Sequence, residues 1–303
     1  MNPISDDAFF VPSSVRAAVS IRNATEDSRI AETVIERMVA SEPMVAAALL
    51  RLANSAAYRR AEPADSVSQA IMMLGMGEVR AVASQIAMLQ LVRGIRGRAA
   101  RMVAESLLLH SISISLFAEE LARASPDLDR GRVGTLGLFH EMPTFHLLAG
   151  SNQNPDQFAT LEAIDAVAKS RRLRSHEMLM QDLGLPSLAV PRIDEMALVD
   201  RAHAYVTHPN PLSMHPDEAG DRSGISPERI VMLQAGAEAA YVTLVEGPIP
   251  HEVSEAAAES GPVPIAYAPG DQIEAESDDP RPPPRKGLLH RLQSLLVDIF
   301  TGD

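Results

Sequence analysis

Apolar residues recur along this chain at helical rather than strand spacing. Ile30, Val34 and Met38 stand four apart behind Asp27 and Ser28, two residues able to cap a helix start. Pro43 follows Glu42 where a first turn accepts proline, and the run PMVAAALLRLANSAAY predicts a helix that its neighbours can approach closely. Asn54 and Ser55 at its end are expected to satisfy backbone groups. Ser66 and Gln69 have capping-box spacing ahead of Ala70, Ile71, Met73 and Leu74, and Gly75 stands where a C-cap falls. Val79, Val82, Ile86 and Leu89 carry the period from Glu78 to about Val92, and residues 99–124 are apolar round most of the helix, which suits the centre of a domain. A further helix is expected over 133–148, interrupted by Pro143, with less regular helical spacing over 160–205 and 227–245. The pattern predicts an all-α multi-helix bundle.

Composition sharpens that picture. Hydrophobic residues make up 46% of the 303 and aromatics only 4%, with no Trp, so Ala, Leu, Val, Ile and Met must fill the core. The absence of Cys excludes disulfides, thiolate nucleophiles and Cys-based metal centres. A net charge of −13 disfavours non-specific nucleic-acid binding. The start, MNPISDDAFFVP, carries acids where a signal peptide needs bases, and no stretch gives about 18 uninterrupted apolar residues. The expectation is a cytoplasmic protein without stable membrane association.

Charge also marks boundaries. Between Gly247 and Pro280 there are eight acids (Glu252, Glu255, Glu259, Asp271, Glu274, Glu276, Asp278, Asp279), six prolines and no Lys or Arg. Such a segment cannot bury enough apolar surface to offset its ordering entropy. The expected organisation is a flexible 1–11, a helical domain over 12–246, a disordered acidic linker over 247–284 and an amphipathic helix over 285–303. In that last helix Leu288, Leu289, Leu292, Leu295, Leu296, Ile299 and Phe300 form one wide apolar stripe, a candidate surface for a protein partner or for the chain's own core. Two basic clusters stand out, Arg93, Arg96, Arg98 and Arg101, and later Lys169, Arg171, Arg172 and Arg174. Arginine forks suit phosphates or carboxylates, so the first cluster is a candidate anion site; the plainer reading of both is a solvated face paired with nearby acids.

The segments IERMVASEPMVAAALLRLANSAAYRR and SVSQAIMMLGMGEVRAV resemble, in order and spacing, the opening of the HDOD domain family, and SLLLHSISISLFAEELA and TLGLFHEMPTFHLLA resemble its second half. The resemblance implies a helical fold related to the HD phosphohydrolases, in which a His on one helix, a His-Asp doublet on the next and a further carboxylate hold a divalent metal. The corresponding residues here are His110, His140 and Glu141. Glu141 replaces the Asp and carries an extra methylene, Met142-Pro143-Thr144 replaces the basic continuation, and the sequence suggests no fourth ligand.

Other chemistry fails on inspection. Gly75-Met76-Gly77 lacks the third glycine of a dinucleotide fingerprint, His140-Glu141 lacks the second His of a zincin, and no nucleophile elbow or phosphate loop is present. No catalytic residue, cofactor or metal is therefore expected, with His110, His140 and Glu141 as the alternative metal set. By resemblance, the expected role is a non-catalytic bacterial signal-transduction or scaffolding module that binds a signalling protein and is linked to a cyclic dinucleotide messenger. The alternative is a metal-dependent phosphohydrolase with a degenerate HD site.

Overall fold

The computed structural model describes residues 11–55, 58, 63–170, 173–206 and 224–245. The expectations for 247–284 and 285–303, including the stripe from Leu288 to Phe300, lie outside the described residues. Within them every regular element is helical. The first half contains α1 (Ser13–Ala24), α2 (Glu32–Ala40), α3 (Pro43–Ala53), α4 (Val67–Leu74) and α5 (Met76–Arg93). The central α6 (Arg98–Leu121) is followed by α7 (Arg130–Phe139) and α8 (Met142–Ala149). The remainder comprises α9 (Leu161–Ser170), α10 (His176–Leu183), α11 (Pro186–Ala189), α12 (Ile193–Ala202) and α13 (Pro227–Val245).

Local chemistry accounts for several of the boundaries. Ser66 Oγ accepts from the Gln69 amide and Gln69 Oε1 accepts from the Asp65 amide, closing a reciprocal cap at the start of α4. Gly75, at φ 81°, turns α4 into α5. Asn54 clamps the end of α3 to the chain ten residues on, donating from Nδ2 to the Ala64 carbonyl at 2.9 Å and accepting from the Ala64 amide at 2.8 Å. Its expected structural role is thereby met. The buried Ser55 hydroxyl has no hydrogen-bond partner among the described residues, so the same expectation fails there. The helix expected behind Asp27 starts later: Asp27 accepts from the Arg29 amide and guanidinium instead of capping, and α2 buries Ile35 and Val39 rather than the Ile30, Val34, Met38 row.

Helix α6 packs against α5, α7, α12 and α13. By length and composition Arg98–Ala124 would suit a membrane span, yet 67% of its most apolar window is buried inside the bundle. Helix α7 runs antiparallel to it at close quarters. A Cβ at Gly134 would meet Glu119 and the Ser115 carbonyl at 3.3 Å, and one at Gly137 would meet Ser115 Cα at 3.0 Å and Ile114 C at 3.2 Å. These glycines let two backbones approach where any side chain would hold them apart. Arg132 on α7 then ties in α12 by donating to Glu195 at 2.7 Å, with the Glu195 side chain 3% exposed. Phe117 stacks on Tyr205 just past α12, with ring centroids 5.4 Å apart.

Candidate metal centre

The helix expected over 133–148 is broken at His140 and Glu141, between α7 and α8. Pro143 falls in the first turn of α8, where its missing N–H costs nothing, so the proline does not distort the doublet. Glu141 Oε2 accepts from the Thr144 hydroxyl at 2.7 Å, which fixes the carboxylate against its own helix start.

The break turns His140 toward His110 in the middle of α6, and the end of α12 delivers His203 to the same place. Ring centroids are 5.5 Å apart for His110 and His140, 5.4 Å for His110 and His203, and 5.0 Å for His140 and His203. One donor atom from each of His110, His140, Glu141 and His203 lies within 4.8 Å of the others. His140 Nδ1 bonds the Gly137 carbonyl at 2.6 Å and His203 Nδ1 bonds the Val199 carbonyl at 3.1 Å. A carbonyl only accepts, so these bonds put a proton on Nδ1, and in the neutral ring the lone pair is then on Nε2. The Nε2 atoms of all three histidines are shut off from solvent, and His110 and Glu141 are 3% and 4% exposed.

This donor set fits a divalent transition metal. Three imidazoles and a carboxylate suit zinc, iron, manganese or nickel, and a tetrahedral site with bonds of about 2.0–2.2 Å needs ligand atoms about 3.4 Å apart, a contraction within reach of small side-chain rotations. The expectation of no metal rested on Glu141 in place of an Asp, on the Met142-Pro143-Thr144 continuation and on a missing fourth donor, and His203 offers a donor for that last position. It stands 63 positions after His140, so no local motif connects them. The only trace in the sequence is a His at the end of an apolar helical stretch, ALVDRAHAYV. His146 is not part of the group.

The arginine cluster does not converge. Arg101 donates to the backbone carbonyls of Ile95 and Arg93, Arg96 and Arg98 are exposed, and only Arg93 turns inward. Lys169 pairs with Asp165 at 2.6 Å on a solvated face and the largely buried Arg174 pairs with Asp182 at 2.8 Å, while Arg171 and Arg172 lie outside the described residues. A cleft of about 480 Å³ opens between α5, α6, α7 and α13, walled by Glu78, Arg80, Glu119, Arg123, Arg130 and Arg229. Arg229 and Arg123 both pair with Glu120, at 2.7 and 2.9 Å, and Arg130 with Glu119 at 3.4 Å. Burial pushes the Glu119 carboxyl up.

The HDOD domain model matches residues 11–187, more than half of the chain. The chain belongs to the HDOD domain family. Among solved structures, this HDOD protein is similar to a provisionally named metal-dependent phosphohydrolase from Shewanella amazonensis SB2B, at 17% identity and a TM-score of 0.56, covering 78% of this chain and 94% of that one. An HDOD domain protein of unknown function from Geobacter sulfurreducens matches at 20% identity and a TM-score of 0.44, over 84% and 91% of the two chains. A response regulator fragment from Methylococcus capsulatus str. Bath matches at 19% identity and a TM-score of 0.29, over 85% and 93%. The first of these shares the fold. No protein of curated function matches the sequence.

Proposed function

We propose that this HDOD chain is a cytoplasmic regulatory module that acts through protein contacts without turning over a substrate, and that His110, His140, Glu141 and His203 hold a divalent transition metal as a structural pin. The observation that carries this reading is the closure of the cluster. A bound metal of this kind supplies Lewis acidity and an activated water where it keeps a position open to solvent and substrate. Here the four donors face one another, the imidazole Nε2 atoms are buried, and Thr144 holds one carboxylate oxygen. No basic residue follows the doublet, since Met142, Pro143 and Thr144 occupy those positions. Closed four-ligand sites tie elements together, and this one would join the middle of α6, the α7–α8 break and the end of α12.

The second reading, a metal-dependent phosphohydrolase, gains from the fourth donor that His203 provides. Two measurements on full-length protein purified without chelator separate them: metal content by mass spectrometry, and hydrolysis of bis(p-nitrophenyl) phosphate and of cyclic dinucleotides with manganese, iron or magnesium. The expected result is about one metal per chain and no turnover. Turnover abolished by His140→Ala overturns the regulatory reading, and metal-free protein that takes up none on titration overturns the structural pin.

A further inference from the structure

Three ligands of the histidine cluster are each steadied by a group within four residues of them. The Gly137 carbonyl takes His140 Nδ1 at 2.6 Å and the Val199 carbonyl takes His203 Nδ1 at 3.1 Å. Glu141 is steadied by a side chain instead. It stands at the N-cap of α8, and Thr144, three residues on in the first turn, donates its hydroxyl to Glu141 Oε2 at 2.7 Å. The other oxygen, Oε1, lies 3.5 Å from His140 Nε2. The carboxylate thus divides its oxygens, Oε2 to its own helix and Oε1 to the cluster. Both Glu141 and Thr144 are buried, and a β-branched side chain is stiff at χ1, so the hydroxyl is a fixed post. That post matters because Glu141 has one more rotatable bond than the Asp of a His-Asp doublet, and a loose carboxylate swings to offer a metal both oxygens. One that spends an oxygen on a hydroxyl offers a single bond. With three imidazoles this makes four donors, the set a tetrahedral zinc site takes, whereas manganese, magnesium and ferrous iron fill more positions and gain from a second carboxylate oxygen.

We propose that Thr144 makes this site selective for zinc, because its hydroxyl holds Glu141 to one ligating oxygen beside His110, His140 and His203. This rests on the reading of the cluster as a metal-holding pin, and adds to it a choice of ion and the residue that sets the choice. Thr144 bonds the ligand and not the metal, so it is a positioning residue. The same hydroxyl occupies the stretch where the sequence replaces a basic continuation with Met142-Pro143-Thr144, and Pro143 at the start of α8 places it there.

The experiment strips full-length protein of metal and loads it with cobalt(II), which takes the place of zinc and reports its coordination by colour, since four-coordinate cobalt absorbs visible light far more strongly than six-coordinate cobalt. The parent chain is expected to show the intense four-coordinate bands. Thr144→Val, which keeps the shape and loses the hydroxyl, is expected to weaken them several-fold, and Thr144→Ser, which keeps the hydroxyl, to restore them. In competition between zinc and manganese, the preference of Thr144→Val for zinc is expected to fall roughly tenfold, the usual scale for losing an outer partner of a metal ligand. Six-coordinate cobalt in the parent chain overturns the proposal and needs no variant to fold. So does a Thr144→Val chain with the parent's spectrum and zinc preference, or a Thr144→Ser chain that behaves like Thr144→Val. In all three cases metal is bound and the pin itself is untouched. A parent chain that takes up neither zinc nor cobalt overturns the pin, and the role of Thr144 with it.

Discussion

At one end of the α6–α7 pair, Glu119 and Arg130 face an open cleft where ionised side chains pair within reach of water. Nearly three turns further along, past the end of α7, His110 and His140 meet where their Nε2 atoms are shut off from water and the Gly137 carbonyl orients the His140 ring. The same two helices therefore build a wet, charged surface and a dry, donor-rich knot. What separates them is how closely the backbones approach. Gly134 faces the Glu119 side chain and one carbonyl, while Gly137 faces the backbone of Ser115 and Ile114. At the cleft end side chains fill the gap and can swing; at the cluster end main chain meets main chain and nothing can yield.

The largest predicted effect comes from removing the strut that keeps the dry end closed. Glu195→Ala deletes the buried partner of Arg132 and the acceptor for the Arg192 amide at the start of α12. Breaking a buried pair costs about 3–5 kcal/mol, and the lower end is expected here because Arg132 keeps 23% exposure. Chemical denaturation checks the stability, and the imidazole resonance of His203 is expected to shift with it. An unchanged midpoint would show that α12 is seated without this pair.

Chelation comes next. A ligand present at about a hundred times its dissociation constant stabilises by about 2.7 kcal/mol, and each kcal/mol moves Tm by about 2–4 °C in a domain of this size. Stripping metal from the parent chain is expected to lower Tm by several degrees, and the chelator is expected to leave His203→Ala unmoved. An equal shift in both would place the metal elsewhere.

The glycine contrast is tested directly by paired substitutions. Gly137→Ala forces a methyl against backbone and is expected to cost about 1–3 kcal/mol and to loosen the histidine cluster. Gly134→Ala meets the Glu119 side chain, which can move, and one backbone carbonyl, and the helix propensity gained, about 1 kcal/mol, offsets part of the strain, so a smaller loss than at Gly137 is expected. Similar losses at both positions would remove the distinction drawn between the two ends.

The smallest effect belongs to Glu119. Its carboxyl is raised in the folded chain by burial, so it stays protonated to higher pH than in the unfolded chain. Stability at this group is therefore highest at acidic pH and falls as pH rises from the unfolded carboxyl value through the folded one. With 41% of the side chain exposed, solvent screening holds the effect to about a few tenths of a kcal/mol. Glu119→Gln is expected to flatten that slope in melts recorded across the acidic range, and an unaltered slope would assign it to another group.

Much of this bundle is legible in the chain itself. Turn chemistry is local, and so Pro43, Ser66 with Gln69, Gly75 and Asn54 announce their helix ends within a few residues of sequence. The start of α2 does not, because Asp27 bonds forward to Arg29 rather than capping a helix, a choice between two near-equal local bonds. At the site, His110 and the His140–Glu141 doublet are readable through resemblance, whereas His203 is not. A donor brought in by long-range packing leaves no spacing to read. The arginine cluster misleads for the same reason in reverse: neighbours in sequence separate in space, Arg101 onto carbonyls and Arg93 toward Met44 on α3.

The glycines of α7 have a consequence for how the fold assembles. Three of its ten residues, Gly131, Gly134 and Gly137, each weaken an isolated helix by about 1 kcal/mol relative to alanine, so this segment has little tendency to coil alone. It becomes helical by docking on α6, which has the length and composition to form early. Contacts made by α7 therefore form late on the path to the native state, and weakening them accelerates unfolding while leaving the refolding rate nearly unchanged. The segment that leads into His140 is thus expected to form after α6 and to open before it.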